Sequence, residues 1–237
     1  MKTAISAAIV FLCLAAFSSY CQTFEGGLYI GGANYLGEIG PKETYNPKIG
    51  VVGGIFKYHL NERFALRSSI SIVPLSADDR DATGFRGNGR GKNIRYRFYT
   101  NILDGMVGAE FVPFRIWLSD YTSLSPYLFG GIGVFYGDEL YLPERAPVSN
   151  ALSYDKQVQV TFPVGLGLKM PVSDRLQLGL EVAPRFLTTD NLDGGDAEPP
   201  FNENNDLNYF QGNDLYVVTA FTITYFFGND YGSCNCR

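Results

Sequence analysis

The sequence predicts an all-β fold, an eight-stranded antiparallel barrel that crosses the outer membrane, and three observations lead there. The segment DLYVVTAFTITYFF, Asp214 to Phe227, alternates over its whole length. Leu215, Val217, Thr219, Phe221, Ile223, Tyr225 and Phe227 fall on one face; Tyr216, Val218, Ala220, Thr222, Thr224 and Phe226 fall on the other. It carries no charge after Asp214 and closes in aromatics, as one wall of a barrel in lipid would. The composition agrees: 27 Gly, 12 Pro, 16 Tyr and 18 Phe in 237 residues point to strands and turns rather than helices. Finally, the connections between alternating segments are mostly long and short in turn, the rhythm of outer loops and inner turns.

The front of the chain is a leader. Met1-Lys2 is basic, Ala4 to Phe17 is apolar, and Ser18 to Gln22 is a small-polar exit, so residues 1–21 read as a secretory signal peptide. The apolar core is shorter than the roughly 20 residues of a spanning helix, and no later segment supplies one. Insertion must use strands. Tyr20 directly before Cys21 fits a lipid-attachment signal poorly. The net charge is −5 at pH 7, and losing Lys2 with the leader makes it more negative, which argues against nucleic acid as a partner. Residues 22–227 suffice for one barrel, and 228–237 form a C-terminal tail.

Strand one is expected from Phe24 to Leu36, with Leu28 and Ile30 opposite Tyr29. Gly37 to Pro47 is a loop, strand two runs from Lys48 to His59, and Leu60 to Arg63 is a tight turn. Strand three, Phe64 to about Leu75, alternates clearly: Phe64, Leu66, Ser68, Ile70 and Ile72 oppose Arg67, Ser69 and Ser71. Ser76 to Lys92, rich in Asp, Arg and Gly, is a solvated loop. In strand four, about Asn93 to Pro113, Ile94, Tyr96, Phe98 and Ile102 face away from Arg95, Arg97, Tyr99 and Asn101. Arginines are costly in lipid, so Arg95 and Arg97 are expected inside, balanced by Glu110 or Glu181.

Phe114 to Ser125 is an amphipathic connection holding the sole tryptophan, Trp117. Strand five, Pro126 to Tyr136, and strand six, Tyr154 to Met170, flank a loop; Val172 to Arg175 is the second tight turn. Strand seven, Leu176 to about Leu187, puts Gln177, Gly179, Glu181 and Arg185 inside. Thr188 to Asn213 is the last long loop, before strand eight. An even count leaves both ends on the periplasmic side. The interior charges, Arg67, Arg95, Arg97, Glu110, Glu181 and Arg185, describe a plugged lumen. The turns also repeat a design, KYHLNERFAL (Lys57 to Leu66) beside KMPVSDRLQL (Lys169 to Leu178), a shared hairpin or an old duplication.

Catalysis and metals find little support. His59 is the one histidine and sits beside a turn, where an interfacial role is the simpler reading. Asp190 to Asp196 offers oxygens without the spacing of a calcium loop, and Gly130-Gly131-Ile132-Gly133 lies within a strand with no helix behind it. We therefore expect no enzyme, cofactor or metal. Cys234 and Cys236 do not make a zinc site; they can bond a partner, bond each other under strain, or belong to a mobile tail. The candidate partner-binding residues are Arg115, Trp117, Asp120 and Tyr121, types that anchor interfaces, with Cys234 and Cys236 in the tail. The competing reading of Trp117 is a girdle residue at the membrane surface.

SPYLFGGIGVFY (Ser125 to Tyr136), LNERFALRSSIS (Leu60 to Ser71), VSDRLQLGLEVAPR (Val172 to Arg185) and GLYIGGANYLGEI (Gly27 to Ile39) together resemble the PorG-like outer-membrane barrels of the Bacteroidetes type IX secretion system. The closing strand, ending in Phe227, is similar to that of bacterial outer-membrane barrels, here followed by the tail. The resemblance implies a barrel over a periplasmic ring of a lipoprotein and its partner, supporting secretion and gliding. The rival expectations are an OmpA- or OmpX-like structural or adhesive barrel, a small channel and, remotely, a soluble lipocalin-like barrel.

Overall fold

A computed structural model describes residues 23–37, 39–41, 47–89, 94–119, 122–142, 148–188, 192 and 214–227. The segments expected as leader and as tail, the latter with Cys234 and Cys236, lie outside them, as do Asp120, Tyr121 and most of the Asp190 to Asp196 loop. The strands are β1 (Thr23–Leu36), β2 (Lys48–His59), β3 (Phe64–Asp78), β4 (Arg95–Phe111), β5 (Ile116–Ser119), β6 (Thr122–Tyr141), β7 (Val148–Asn150), β8 (Leu152–Pro171), β9 (Leu176–Leu187) and β10 (Leu215–Phe227). Their order is β5-β6-β8-β9-β10-β1-β2-β3-β4-β7, and a further pairing of β4 with β6 closes the ring. Among the described residues, then, eight long antiparallel strands form the wall, while β5 and β7 are short additions to it. Closure leaves none of the eight with a long open edge.

The closing seam pairs Leu103 to Phe111 with Tyr136 to Leu128. There the backbones approach so tightly that a Cβ on Gly108 would stand 2.1 Å from the Gly130 carbonyl, and one on Gly131 equally near that of Val107. Only glycine fits. Elsewhere a missing side chain makes room for a ring: a Cβ on Gly165 would meet Phe129 at 2.3 Å, and one on Gly167 would meet Tyr127 at 2.4 Å.

Alternation sorts the wall into two surfaces. Along β8, Val158, Val160, Phe162, Val164, Leu166 and Leu168 are all exposed while Gln157, Thr161 and Lys169 are buried. Val158 to Leu168 matches the roughly 9–11 residues that a tilted strand needs to cross a bilayer. Toward the tight turns the belt ends in aromatic pairs, Phe24 on Phe56 (5.8 Å between centroids), Phe64 on Phe111 (4.7 Å) and Tyr225 on Phe227 (5.0 Å). This is the girdle of a membrane barrel.

Strand lengths exceed the sequence expectation on the other side. The strands β6 and β8 stay paired as far as Tyr141 and Leu152, beyond the belt, tied by a Lys156–Asp138 ion pair. The expected loop after β3 is built: β3 runs on to Asp78, followed by a 3-10 turn at Asp79–Asp81 and one helical turn at Gly84–Gly87. Buried Asp79 accepts from the Gly40 and Tyr96 amides at 2.9 and 3.1 Å, and Arg86 donates to the Gly40 carbonyl at 2.9 Å. These bonds satisfy backbone groups that a buried loop would otherwise strand.

The two tight turns are the same structure. Leu60 and Asn61 donate to the Phe64 carbonyl, as Val172 and Ser173 donate to that of Leu176. The Asn61 side chain accepts from the amides of Arg63 and Phe64; Ser173 does so from Arg175 and Leu176. Val112 donates to Arg63 across the next strand, and Phe226 to Arg175. Since β2–β3 and β8–β9 occupy corresponding places in two four-strand halves of the ring, the likeness extends from the turn to its neighbours.

Candidate functional site

The lumen is filled in two layers. Toward the tight turns it holds a closed set of charges. Lys57 Nζ lies 3.1 Å from Glu25 and 2.9 Å from Glu110, and Lys169 Nζ lies 2.5 Å from the other Glu110 oxygen. Arg67 grips Glu181 with 2.7 and 2.9 Å bonds and reaches Glu110 at 3.5 Å. The Tyr127 hydroxyl donates to Glu181 at 2.9 Å, and His59 Nε2 is 2.7 Å from Glu25. Three carboxylates thus face three basic side chains, all buried, with Glu110 touching each of the three. Aromatic faces complete the shell: Arg67 stands 3.8 Å over the Phe129 ring, with Lys57 and Lys169 at 5.4 and 5.3 Å from the Tyr127 ring. Balanced charge and many bonds are what make such burial tolerable.

Deeper in, Arg185 donates to Asp104 at 3.3 Å, and the Tyr216 hydroxyl bonds the same carboxylate oxygen. Above this pair the filling turns apolar, with Val51, Val73, Leu75, Phe98, Ile102, Phe135, Leu140 and Leu187 packed together. Ile39 and Leu192, from the connections after β1 and β9, are only 1% exposed and belong to the same cluster. Asp214 holds this cap, accepting from the Tyr35 hydroxyl at 2.5 Å and the Leu192 amide at 2.9 Å. Among the described residues, an ion network fills the lumen below and an apolar plug fills it above. Single-channel recording of the reconstituted barrel should accordingly show no steady large conductance.

The expected interior charges divide. Arg67, Glu110, Glu181 and Arg185 are buried in the lumen. Arg95 and Arg97 are not, which corrects the sequence reading of β4. Arg97 is exposed and donates to Asn150 on β7, while Arg95 donates to the Gly87 carbonyl at 3.0 Å. The inward residues of β4 are Phe98, Thr100, Ile102, Asp104, Met106 and Glu110. Both arginines lie at the loop end of β4, where an outward charge meets water and polar neighbours instead of lipid, and Glu110 and Glu181 pair with Lys57, Lys169 and Arg67. Sequence reasoning assigned no place to Lys57, Lys169, Glu25, Asp104 or Tyr127. One signal was there: Lys57 and Lys169 open the two matching hairpin motifs, and both reach Glu110.

At the tight-turn end the Trp117 segment is not a plain connection. After residues 112–115, β5 pairs with β6 through Ile116↔Leu124 and Trp117↔Ser123, then shifts register before Ser119↔Thr122. The result is a two-stranded arm on the rim, with Phe114, Ile116, Trp117 and Leu118 all exposed. Arg115 lies 4.0 Å from Glu62 of the first turn. Among the described residues no group of His, Cys, Asp and Glu could hold a metal.

A closed antiparallel barrel with an apolar wall, an aromatic girdle and a filled lumen defines a small membrane β-barrel of the outer-membrane type. The chain belongs to the family described as a domain of unknown function, DUF6089, whose profile matches residues 4–237. Similar solved structures include a major outer membrane protein of Thermus thermophilus (12% identity, 88% of this chain and 100% of that one, TM-score 0.47). The N-terminal barrel domain of Pseudomonas aeruginosa OprF is another (11%, 87% and 97%, 0.42). A third is Ail, the attachment invasion locus protein of Yersinia pestis (11%, 87% and 99%, 0.37). No curated protein matches the chain in sequence.

Proposed function

We propose that this barrel is a non-enzymatic outer-membrane component of the type IX secretion and gliding machinery, anchoring a periplasmic ring lipoprotein and its partner. The observation that carries the reading is the filled lumen. A wall plugged by an ion network and an apolar core passes no substrate, so its use is to hold something in place. With the tight turns facing the periplasm, the arm is the feature that offers a holding surface, through Trp117 and Arg115 beside Glu62. The resemblance of the four quoted segments to PorG-like barrels supports the ring as what is held.

The test is a mild-detergent pull-down of the tagged barrel from its own outer membrane, with mass spectrometry of what accompanies it. A periplasmic lipoprotein ring is the expected companion, and recovery of the barrel alone would overturn the secretion role. Replacing Trp117 by Ala and cutting after Phe227 should together weaken capture severalfold, as loss of a roughly 1–2 kcal/mol contact does. Unchanged capture by the double variant would remove the arm and tail as the holding surface. The second reading, a structural or adhesive barrel, draws on the ordered cap around Asp79 and Asp214 at the long-loop end.

A further inference from the structure

The arm has two faces, and strand register tells them apart. Leu124 lies between buried Ser123 and Ser125, so it points outward, and its partner Ile116 does the same. Trp117 pairs with inward Ser123 and therefore stands on the opposite face. The outward face lies beyond the end of the lipid-facing wall, separated from Phe111 by residues 112–115. Below the girdle residue Phe111 come Phe114 and Ile116, exposed and apolar, joined at this level by Leu60 and Val172 from the two turns. Nothing in the packing of the described chain covers these side chains. A rim immersed in water would not carry such an apolar extension, whereas one lying at the membrane surface would. Arginines stand nearby at Arg63, Arg115 and Arg175, the last donating to the girdle residue Tyr225 at 3.3 Å, with Glu62 and Asp174 beside them. Cations on long stems beside aromatics are the usual composition of the headgroup layer.

We propose that the β5–β6 arm is a membrane foot: its Ile116 and Leu124 face, with exposed Phe114 just before it, seats in the headgroup and upper acyl region of the leaflet at the tight-turn end. The occupant of this face is phospholipid. Trp117, on the other face, stays turned toward the aqueous side. The assignment is independent of the secretion reading, since it concerns the face that lipid would cover whatever the partner.

The single tryptophan makes the test direct. In a Trp117→Phe background, Ile116→Trp places the only indole on the outward face. The full-length barrel is refolded into vesicles of phosphatidylethanolamine and phosphatidylglycerol, with and without bromine high on the acyl chains, and folding is checked by its heat-dependent gel migration. The expected result is a blue-shifted emission that bromolipid quenches strongly and aqueous iodide hardly touches. Emission quenched by iodide and indifferent to bromolipid would overturn the proposal, placing the arm in water with this face open to a protein. Should Ile116→Trp fail to fold, Leu124→Trp in the same background reads the same face with the same two outcomes, since Leu124 pairs with Ile116. Pull-down of the ring by these variants is a separate measurement, so either reading can fail alone.

Discussion

Replacing Glu110 by Gln should destabilise the barrel by about 3–5 kcal/mol, the largest loss expected from any single side chain in the lumen. Glu110 bonds Lys57 and Lys169 at 2.9 and 2.5 Å and lies 3.5 Å from Arg67, and all four residues are buried. Gln keeps the shape and removes the charge. Lys57 retains Glu25, and Arg67 retains its two bonds to Glu181, but Lys169 loses the one carboxylate that its ammonium contacts among the described residues. An unpaired buried ammonium is what makes such a change expensive, far more than the loss of a surface pair. Urea unfolding in lipid vesicles, followed by gel migration, measures the effect. Removing the charges together, as Glu110→Leu with Lys57→Met and Lys169→Met, should recover most of the loss, because a well-filled apolar core can replace an ion network of similar volume. A Glu110→Gln barrel as stable as the parent would mean that water reaches Lys169, and with it that the lumen is open.

Where sequence reading of the strand faces succeeded and where it failed has one physical cause. In β3, β9 and β10 the outward residues are mostly apolar, Ser68 and Thr219 among the exceptions, and the inward ones include Arg67, Gln177, Glu181, Arg185 and Thr222. There the period alone decides which face meets lipid, and Leu66 and Leu178 stand outside in the structure as the sequence reading expects. In β4 the same rule misleads. Phe98 and Ile102 are apolar because they fill the plug, at 4% and 1% exposure, while Arg97 beside them is exposed. An eight-stranded lumen is narrow enough to be filled by side chains, so its interior can be as apolar as a soluble core. Polar-inside holds only for the half lined by the ion network. The long connections were illegible for another reason: what organises them is single polar residues such as Asp79 and Asp214, each bonding backbone far off in sequence. No periodicity announces such a residue. The arm was legible as an amphipathic stretch around Trp117, but which face it turns outward depends on the pairing of Ile116 with Leu124.

The phase of β4 can be fixed by a pair of substitutions with opposite expectations. Val107 is exposed in the middle of the belt, paired with Ser68 on one side and Ile132 on the other. Val107→Arg should cost about 2–4 kcal/mol, the price of an arginine near the bilayer midplane of a barrel. Arg97→Ala should change stability by no more than about 0.5 kcal/mol, because an exposed side chain whose visible bond is to Asn150 leaves no buried charge behind. Had Arg97 pointed into the lumen, the outcome would reverse: removing it would strand a buried carboxylate, and an arginine at position 107 would sit among polar neighbours inside. Both variants fold into the same vesicles and are read on the same urea scale, so the comparison needs no absolute stability. A severe Arg97→Ala together with a mild Val107→Arg would rotate β4 by one residue, and would take Asp104 and Glu110 out of the lumen with it.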